Sequence, residues 1–306
     1  MAFRVIMIES EVKINLKLNN IIISKSSVED IWVPISDISM IVIDNLKVSI
    51  TTRMLCTLAE NNIGVIICDQ KHLPIGFYSD YNNHSRASKI IGYQINKSQE
   101  FYDELWSDIV KHKIQNQSKV LKRLYMNEEV QQKMHQLSEE IVQGDKSNRE
   151  AHAAKVYFNE LMDTTFSRGN EDILLNSGLD YGYAIVRSYI SRLCVGYGLN
   201  TQLGIHHKNE YNRFNLVDDL LEPVRTIVDE YAYRLLLDEE YFKPEHRRKL
   251  VNILNHKIIY KSKEMYIANM LEEYVIAIAA LIMGLRSNIE YPDQDNYIGA
   301  EDKDEL

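Results

Sequence analysis

The segment from Gly204 to Arg225 concentrates side chains that bind divalent metal ions. Its candidate ligands are two histidines and three of its four acids, namely His206, His207, Asp218, Asp219 and Glu222. Imidazole together with carboxylates suits Mg²⁺ or Mn²⁺, which prefer oxygen ligands and tolerate one imidazole. Such an ion activates a hydroxyl and stabilises charge on a phosphate group during its transfer. The segment therefore predicts a metal site for phosphoryl-transfer chemistry.

The spacing of the acids leaves a structural interpretation open. Asp219 and Glu222 are three residues apart, and Asp218 and Glu222 are four apart, so both pairs share one face of a helix. These like charges repel unless a cation or Arg225 lies between them. On the segment alone, a solvated helix start with Pro223 at the first helical position also fits. If the backbone is extended at His206 and His207, the two rings point apart, so one of them at most belongs to the site.

A further acid, Glu150, lies upstream in the segment Ser147 to Ala154. Ser147 and Glu150 have the spacing of a capping box, in which the two residues satisfy the N-terminal backbone of a helix. The alternative is that Glu150 is a metal ligand on the first turn of that helix. Both interpretations stay open at this level.

Basic residues near these segments predict a path for nucleic acid. They are Lys155, Arg187, Arg192, Lys208, Arg225, Arg247, Arg248 and Lys249. Each alone is typical of a solvated helix charge, but as a set they can contact phosphates. The net charge of −9 does not exclude this, because residues 290–306 hold seven acids and one lysine (−6) and leave −3 for the rest. It does argue against a protein that coats DNA without specificity.

The hydrophobic pattern predicts an α+β fold with an N-terminal β-sandwich domain and a larger all-α-helical domain. Short β-rich runs alternate with turns over 1–80, and one helix capped by Thr51 or Thr52 interrupts them. Residues 81–99 are polar and are predicted to be a linker. Apolar residues recur at helical spacing over 100–287, with helices near 150–165, 179–197, 218–238, 245–260 and 263–285. The acidic tail, 288–306, is expected to fray.

Other motifs restrict the class of protein. A phosphate-binding P-loop, a dinucleotide fingerprint and a Gly-x-Ser-x-Gly elbow are absent from the sequence. Three isolated cysteines and the lack of a signal peptide predict a reducing, cytoplasmic location. The longest apolar run, residues 275–283, is too short to span a membrane and suits a buried helix.

Several motifs in this order resemble the CRISPR-associated integrases that capture new spacers, in the form found with type II-A systems. The resemblance covers nearly the whole chain, and the motifs are Lys113–Gln117, Glu150–Phe158, Leu179–Ala184, Gly198–Asn200 and Gly204–His207 followed by Asp218–Arg225. It implies that Glu150, His207 and Glu222 bind Mg²⁺ or Mn²⁺, that Asp219 is an auxiliary acid, and that the β-sandwich carries a homodimer contact.

The resemblance also implies a reaction and partners. The 3′-hydroxyl of a double-stranded DNA fragment, the prespacer, would attack a phosphodiester at the edge of a CRISPR repeat. The family assembles as two dimers bridged by a dimer of a small ferredoxin-like CRISPR-associated partner, which makes a hetero-hexamer. Two alternatives stay open: a metal-dependent endonuclease that hydrolyses branched or single-stranded DNA, and a non-catalytic DNA-binding assembly subunit.

Overall fold

A computed structural model describes residues 4–26, 28–80, 84–170 and 173–300 of the chain. Its N-terminal part forms two four-stranded sheets, in the orders β1-β5-β7-β8 and β4-β3-β2-β6. The strands are β1 (Arg4–Ile8), β2 (Lys13–Lys17), β3 (Asn20–Ser24), β4 (Ile31–Pro34), β5 (Ile38–Ile43), β6 (Ser49–Ile50), β7 (Gly64–Cys68) and β8 (Pro74–Tyr78). The predicted β-sandwich is confirmed. Strands β1 and β6 were not anticipated from the sequence.

Both faces of the first sheet are buried. Ile41 and Ile43 of β5 belong to the core between the two sheets, together with Leu58 of helix α1 (Thr52–Glu60). Met40 and Val42 of the same strand pack into the core of the helical part. This double burial accounts for the continuous apolar run of β5, since a strand covered on both faces has no need for alternating polar residues.

The rest of the chain is mainly helical, and its helices surround one large core. They are α2 (Ala87–Asn96), α3 (Gln99–Arg123), α4 (Glu128–Glu139), α5 (Arg149–Leu161), α6 (Leu174–Gly196), α7 (Asn215–Leu221), α8 (Arg225–Leu236), α9 (Pro244–Asn252) and α10 (Ile267–Ile282). No helix in the described ranges is both long enough and apolar enough to cross a bilayer.

Three expectations about this part were wrong. The predicted linker contains helix α2, whose Ile90 and Gln94 are buried. The region predicted to be all helix contains the antiparallel strands β9 (Lys257–Tyr260) and β10 (Lys263–Tyr266). The tail does not fray up to residue 300, because β11 (Tyr297–Gly299) pairs with β9. Residues 301–306 of that predicted tail lie outside the described residues.

Candidate active site

Pro223 shapes the backbone around the acidic segment. Proline lacks the N–H that continues a helix, and α7 ends at Leu221. A 3-10 turn over Glu222–Val224 follows, and α8 then begins at Arg225. Glu222 thus lies at a bend between two helices and is only 4% exposed. Pro223 does lie at the start of a helical turn, but the interpretation of a solvated helix start is wrong, because Glu222 is buried.

Asp219 fixes the loop that carries His207. Its carboxylate accepts hydrogen bonds from the backbone N–H groups of Ile205, His206 and His207 at 2.6, 3.1 and 3.2 Å. Its Oδ1 also lies 2.6 Å from Nδ1 of His207. Gly204 is required here, because a Cβ at this position would lie 2.2 Å from the carbonyl oxygen of His207.

The hydrogen bond to Asp219 determines the chemistry of His207. It raises the pKa of His207, and with Nδ1 donating to Asp219 the neutral ring carries its lone pair on Nε2. A carboxylate behind an imidazole in this way is the usual support for a metal-binding histidine. Both oxygens of Asp219 are engaged in these contacts, so Asp219 orients His207. Its expected role as an auxiliary acid stays a prediction.

The neighbouring ring of His206 has a different contact. It stacks on Trp106 of α3 with a centroid distance of 4.3 Å and an interplanar angle of 3°. Trp106 is buried. His206 therefore covers an aromatic side chain, and His207 is the histidine with the support expected of a ligand.

Glu150 lies on the first turn of α5, but not in a capping box. The residue before the helix is Asn148, in a left-handed conformation with φ of 53°, and its side chain makes no capping hydrogen bond. Asp145 caps the helix instead, since its side chain accepts from the N–H groups of Arg149 and Glu150 at 2.8 and 3.0 Å. The carboxylate of Glu150 is thereby left for other partners.

Lys113 joins Glu150 to Glu222. Its ammonium forms an ion pair with Oε1 of Glu150 and lies 2.5 Å from Oε2 of Glu222. Lys113 comes from the middle of α3 and is buried. Two acids that are distant in sequence therefore meet at one buried cation.

Arg225 supports Glu222 from the other side. Its Nε lies 3.0 Å from Oε1 of Glu222. Its guanidinium lies over the ring of Tyr183, 4.7 Å from the centroid, and the hydroxyl of Tyr183 donates to buried Asp229. Gly182 allows this packing, because a Cβ there would lie 2.5 Å from a methyl group of Val228 in α8. The motif Leu179–Ala184 thus supports the acidic bend.

Asn116 ties the bend to the C-terminal segment. Its amide donates to the carbonyl oxygens of Pro223 and Pro292, both at 2.9 Å, and its oxygen accepts from the N–H of Gln294 at 3.1 Å. Gln294 is also buried and donates to Glu230 of α8 at 2.8 Å. The segment predicted to fray is therefore part of the support for Glu222.

The charges around Glu222 keep it ionised. Burial alone would raise the pKa of Glu222, but the charges of Arg225 and Lys113 outweigh burial and lower it to about 2. Burial likewise opposes the charged form of Lys113, and the attraction of Glu222 and Glu150 raises its pKa nevertheless. Removing one partner from a buried ion pair costs about 3–5 kcal/mol, so this pair of carboxylates requires a cation.

The donor chemistry fits a divalent cation. Both oxygens of Glu222 face cations, since Oε2 lies 2.5 Å from the ammonium of Lys113 and Oε1 lies 3.0 Å from Nε of Arg225. His207 and Glu222 are close enough for their charges to interact. Within the described ranges, however, no three His, Cys, Asp or Glu side chains are already arranged around a common ion position. The ammonium of Lys113 takes the position of the cation between the carboxylates.

The predicted DNA-binding residues fall into three groups. Lys155, Lys208 and Arg248 are exposed. Arg187 and Arg225 are engaged in ion pairs, Arg187 with Asp218 at 2.8 Å and Arg225 with Glu222 at 3.0 Å. The expectation for Arg247 is wrong: it is buried, and its Nε lies 3.2 Å from Asp44 at the end of β5, so it joins the helical part to the sandwich.

Sequence reasoning missed several residues of the site, above all Lys113 in its role between the two acids. A signal was present. Lys113 lies on the same helical stripe as the buried residues Ile109, Val110 and Ile114, where a lysine is unexpected without a partner. Tyr183 and Asp229 gave no comparable signal, because each finds its partner in a distant part of the chain.

The sequence of this chain matches those of known proteins. Residues 5–262 match the family model described as CRISPR associated protein Cas1. The chain is 35% identical over 229 residues, 75% of this chain and 74% of the relative, to the CRISPR-associated endonuclease Cas1 of Neisseria meningitidis serogroup C.

Two solved structures share the fold. A casposase bound to integration product superposes with a TM-score of 0.73 at 18% identity, covering 96% of this chain and 94% of the other. A Cas6-RT-Cas1–Cas2 complex gives a TM-score of 0.71 at 18% identity, over 92% of this chain and 35% of the other. The chain belongs to the Cas1 family of CRISPR-associated proteins.

Proposed function

We propose that this protein is a metal-dependent DNA integrase of CRISPR adaptation, which inserts short DNA fragments into the repeat array. One observation carries the proposal: Glu150 of α5 and Glu222 of the bend after α7 meet at one buried ammonium. The imidazole of His207, which is oriented by Asp219, interacts electrostatically with Glu222. The casposase among the structural neighbours was solved with an integration product, which supports the same chemistry. Assignment to the type II-A form is part of the proposal and rests on the sequence motifs.

In this proposal Glu150, Glu222 and Nε2 of His207 hold Mg²⁺ or Mn²⁺. When bound, the ion supplies a Lewis acid for a phosphate oxygen and lowers the barrier to attack by a hydroxyl. Asp219 keeps the imidazole ring in its orientation, and Arg225 keeps Glu222 ionised and in place. These contacts fix the ligands before substrate arrives, which reduces the reorganisation needed during the reaction.

The proposed step is a transesterification. The 3′-oxygen of the incoming fragment forms a bond to phosphorus at the edge of the repeat, and the phosphorus–oxygen bond of the repeat strand breaks. Because one phosphodiester bond forms and one breaks, their number is unchanged. The attacking hydroxyl loses its proton, and the departing 3′-oxygen gains one.

A strand-transfer assay tests the proposal. A supercoiled plasmid carrying a CRISPR repeat is incubated with a labelled fragment, Mn²⁺, this protein and its small proposed partner. We expect label to join the plasmid and Glu150→Ala and Glu222→Ala each to reduce joining on the order of 10²-fold or more, because charge stabilisation at phosphorus is lost. Glu264→Gln is the control, since Glu264 is an exposed acid that pairs with Lys257 on a distant hairpin. Joining at the wild-type rate in both alanine variants would contradict the proposal and favour a non-catalytic assembly subunit.

A metal-dependent endonuclease is the second candidate. The Neisseria relative is named an endonuclease, and the same site would serve with water in place of the 3′-hydroxyl. The assay above separates the two, because hydrolysis yields cut plasmid without joined label. If cutting of the plasmid requires Glu150 and Glu222 and no label is joined, the protein is a nuclease and not an integrase.

We further propose that exposed Lys155 and Lys208 contact DNA phosphates next to the site. Lys155 follows Glu150 on α5, and Lys208 follows His207. Each charge removed should lower DNA affinity and reduce the slope of affinity against salt concentration by about one. Lys133→Ala on α4 is a control, and an unchanged salt slope in Lys155→Ala and Lys208→Ala would exclude these contacts.

The proposed assembly is a homodimer joined through the β-sandwich, with two dimers and the small ferredoxin-like partner forming a hetero-hexamer. The edge strand β4 exposes Ile31 and Trp32, and an unpaired edge with apolar side chains favours association. The Cas1–Cas2 complex among the neighbours supports the heteromeric partner. Light scattering should show a dimer for the wild type and a monomer for Ile31→Lys with Trp32→Ser, and an unchanged mass would place the dimer contact elsewhere.

A further inference from the structure

We propose that Lys113 is an internal cation of the active site, which holds Glu150 and Glu222 together before metal binds and which the metal must displace. This inference rests on the proposed function, since it concerns the loading of that same site. It assigns to Lys113 a positioning role that sets how tightly the site binds a divalent ion.

Geometry supports this role. The ammonium contacts one oxygen of each carboxylate, so it stands between the two proposed ligands. The side chain of Lys113 is 7% exposed, and that of Glu222 is 5% exposed, so water screens these charges poorly. A divalent ion bound by the same two oxygens would meet the ammonium at close range. Ion and ammonium therefore compete for the carboxylates.

Lys113 and Arg225 contact the two acids differently. Arg225 pairs with the other oxygen of Glu222 and has no ion pair with Glu150 among the described contacts. Its guanidinium also lies over the ring of Tyr183, which holds it outside the space between the acids. Lys113 alone bridges both acids in the described structure, and its flexible aliphatic chain allows the ammonium to move without rearranging α3.

Two outcomes follow from the competition. Without metal, loss of the ammonium leaves the buried carboxylate of Glu222 and the partly exposed carboxylate of Glu150 in repulsion and lowers the melting temperature. With Mn²⁺ present, loss of the ammonium removes a competitor and tightens binding. A purely structural ion pair predicts the first effect but not the second, because disordered ligands would bind the ion more weakly.

The test compares Lys113→Met with wild type by calorimetric titration of Mn²⁺ and by thermal melting, without DNA. We expect Mn²⁺ to bind Lys113→Met roughly tenfold or more tightly, and to raise its melting temperature more than that of the wild type. Lys113→Arg keeps the charge and should bind Mn²⁺ no more tightly than the wild type. Lys111→Met is the matched control, because Lys111 lies on the same helix and pairs with Glu139 of α4 at 3.0 Å instead of with either ligand.

The results separate the two proposals. Equal or weaker Mn²⁺ binding by folded Lys113→Met, with wild type binding Mn²⁺ through Glu222, would overturn the role of Lys113 and leave the metal site standing. Absence of Mn²⁺ binding in both proteins would overturn the metal site and the inference together. If Lys113→Met and Lys113→Gln do not fold without metal, Mn²⁺ added during refolding should restore the native melting transition, and failure to restore it would also overturn the inference.

Discussion

The two halves of the candidate site are held by different interactions. The imidazole half consists of His207, Asp219 and the backbone of residues 204–207, joined by hydrogen bonds. The carboxylate half consists of Glu150, Glu222, Lys113 and Arg225, joined by ion pairs. The hydrogen bonds of the first half need no ion. The second half has the ammonium of Lys113 between its acids, so the proposed metal would compete there.

The largest effect is expected from replacing the histidine of the imidazole half with alanine. His207→Ala should reduce strand transfer on the order of 10²-fold and leave the far-ultraviolet circular dichroism spectrum unchanged. His206→Ala should have a much smaller effect on activity, because its contact is the ring of Trp106. The reverse order of effects would assign the ligand to His206.

Removing the support of His207 should have the next largest effect. Asp219→Ala frees the imidazole and three backbone N–H groups, and we expect Mn²⁺ affinity to fall about 10–100-fold. Titration calorimetry measures this, with Asp218→Ala as control, because Asp218 pairs with Arg187 instead. Wild-type affinity in Asp219→Ala would show that the imidazole half is not fixed by this carboxylate.

Loosening the backbone beneath Glu222 should affect stability more than metal binding. Asn116→Ala leaves two buried carbonyl groups and one N–H unsatisfied, which should lower the free energy of unfolding on the order of 3 kcal/mol. Mn²⁺ affinity should change less than in Asp219→Ala, since ion pairs still hold Glu222. Urea unfolding checks the first point, with Asn96→Ala, an exposed amide on α2, as control. A large loss of Mn²⁺ affinity with little change in the free energy of unfolding would contradict this expectation.

The smallest expected effect is the dependence on pH. Because the pKa of His207 is raised above its usual 6.5, the pair with Asp219 stabilises the metal-free fold below that value and loses this contribution as pH rises through the raised pKa. Mn²⁺ needs the neutral ring, so its affinity should rise over the same interval. Glu222, with a pKa of about 2, stays ionised throughout. His207→Gln should abolish both trends, and their persistence would place the titrating group elsewhere.

Local sequence patterns predicted the parts of the fold that depend on local forces. The run Ile38–Ile43 was assigned to a strand from its β-branched apolar residues, and Thr51 was one of two proposed caps for α1, which it does cap. Helix α2 and strand β11 were missed because long-range contacts stabilise them. Gln94 binds the backbone of residue 200, and Tyr297 packs into the helical core.

The distinction between local patterns and long-range contacts also applies to the site. Glu150, His207 and Glu222 were proposed as ligands from motifs, and the fold brings Glu150 and Glu222 together at one cation. Lys113 was not assigned a role, because its burial is stabilised only when two acids from other helices reach it. Arg247 was misassigned for the same reason, since its partner Asp44 belongs to the sandwich.

The most direct test of a metal centre built from these two halves is the anomalous scattering of manganese in crystals of the protein soaked in Mn²⁺. The account predicts a peak bound by oxygens of Glu150 and Glu222 and by Nε2 of His207, with Asp219 still bonded to Nδ1. A well-ordered site without a peak, or a peak bound by other side chains, would contradict it.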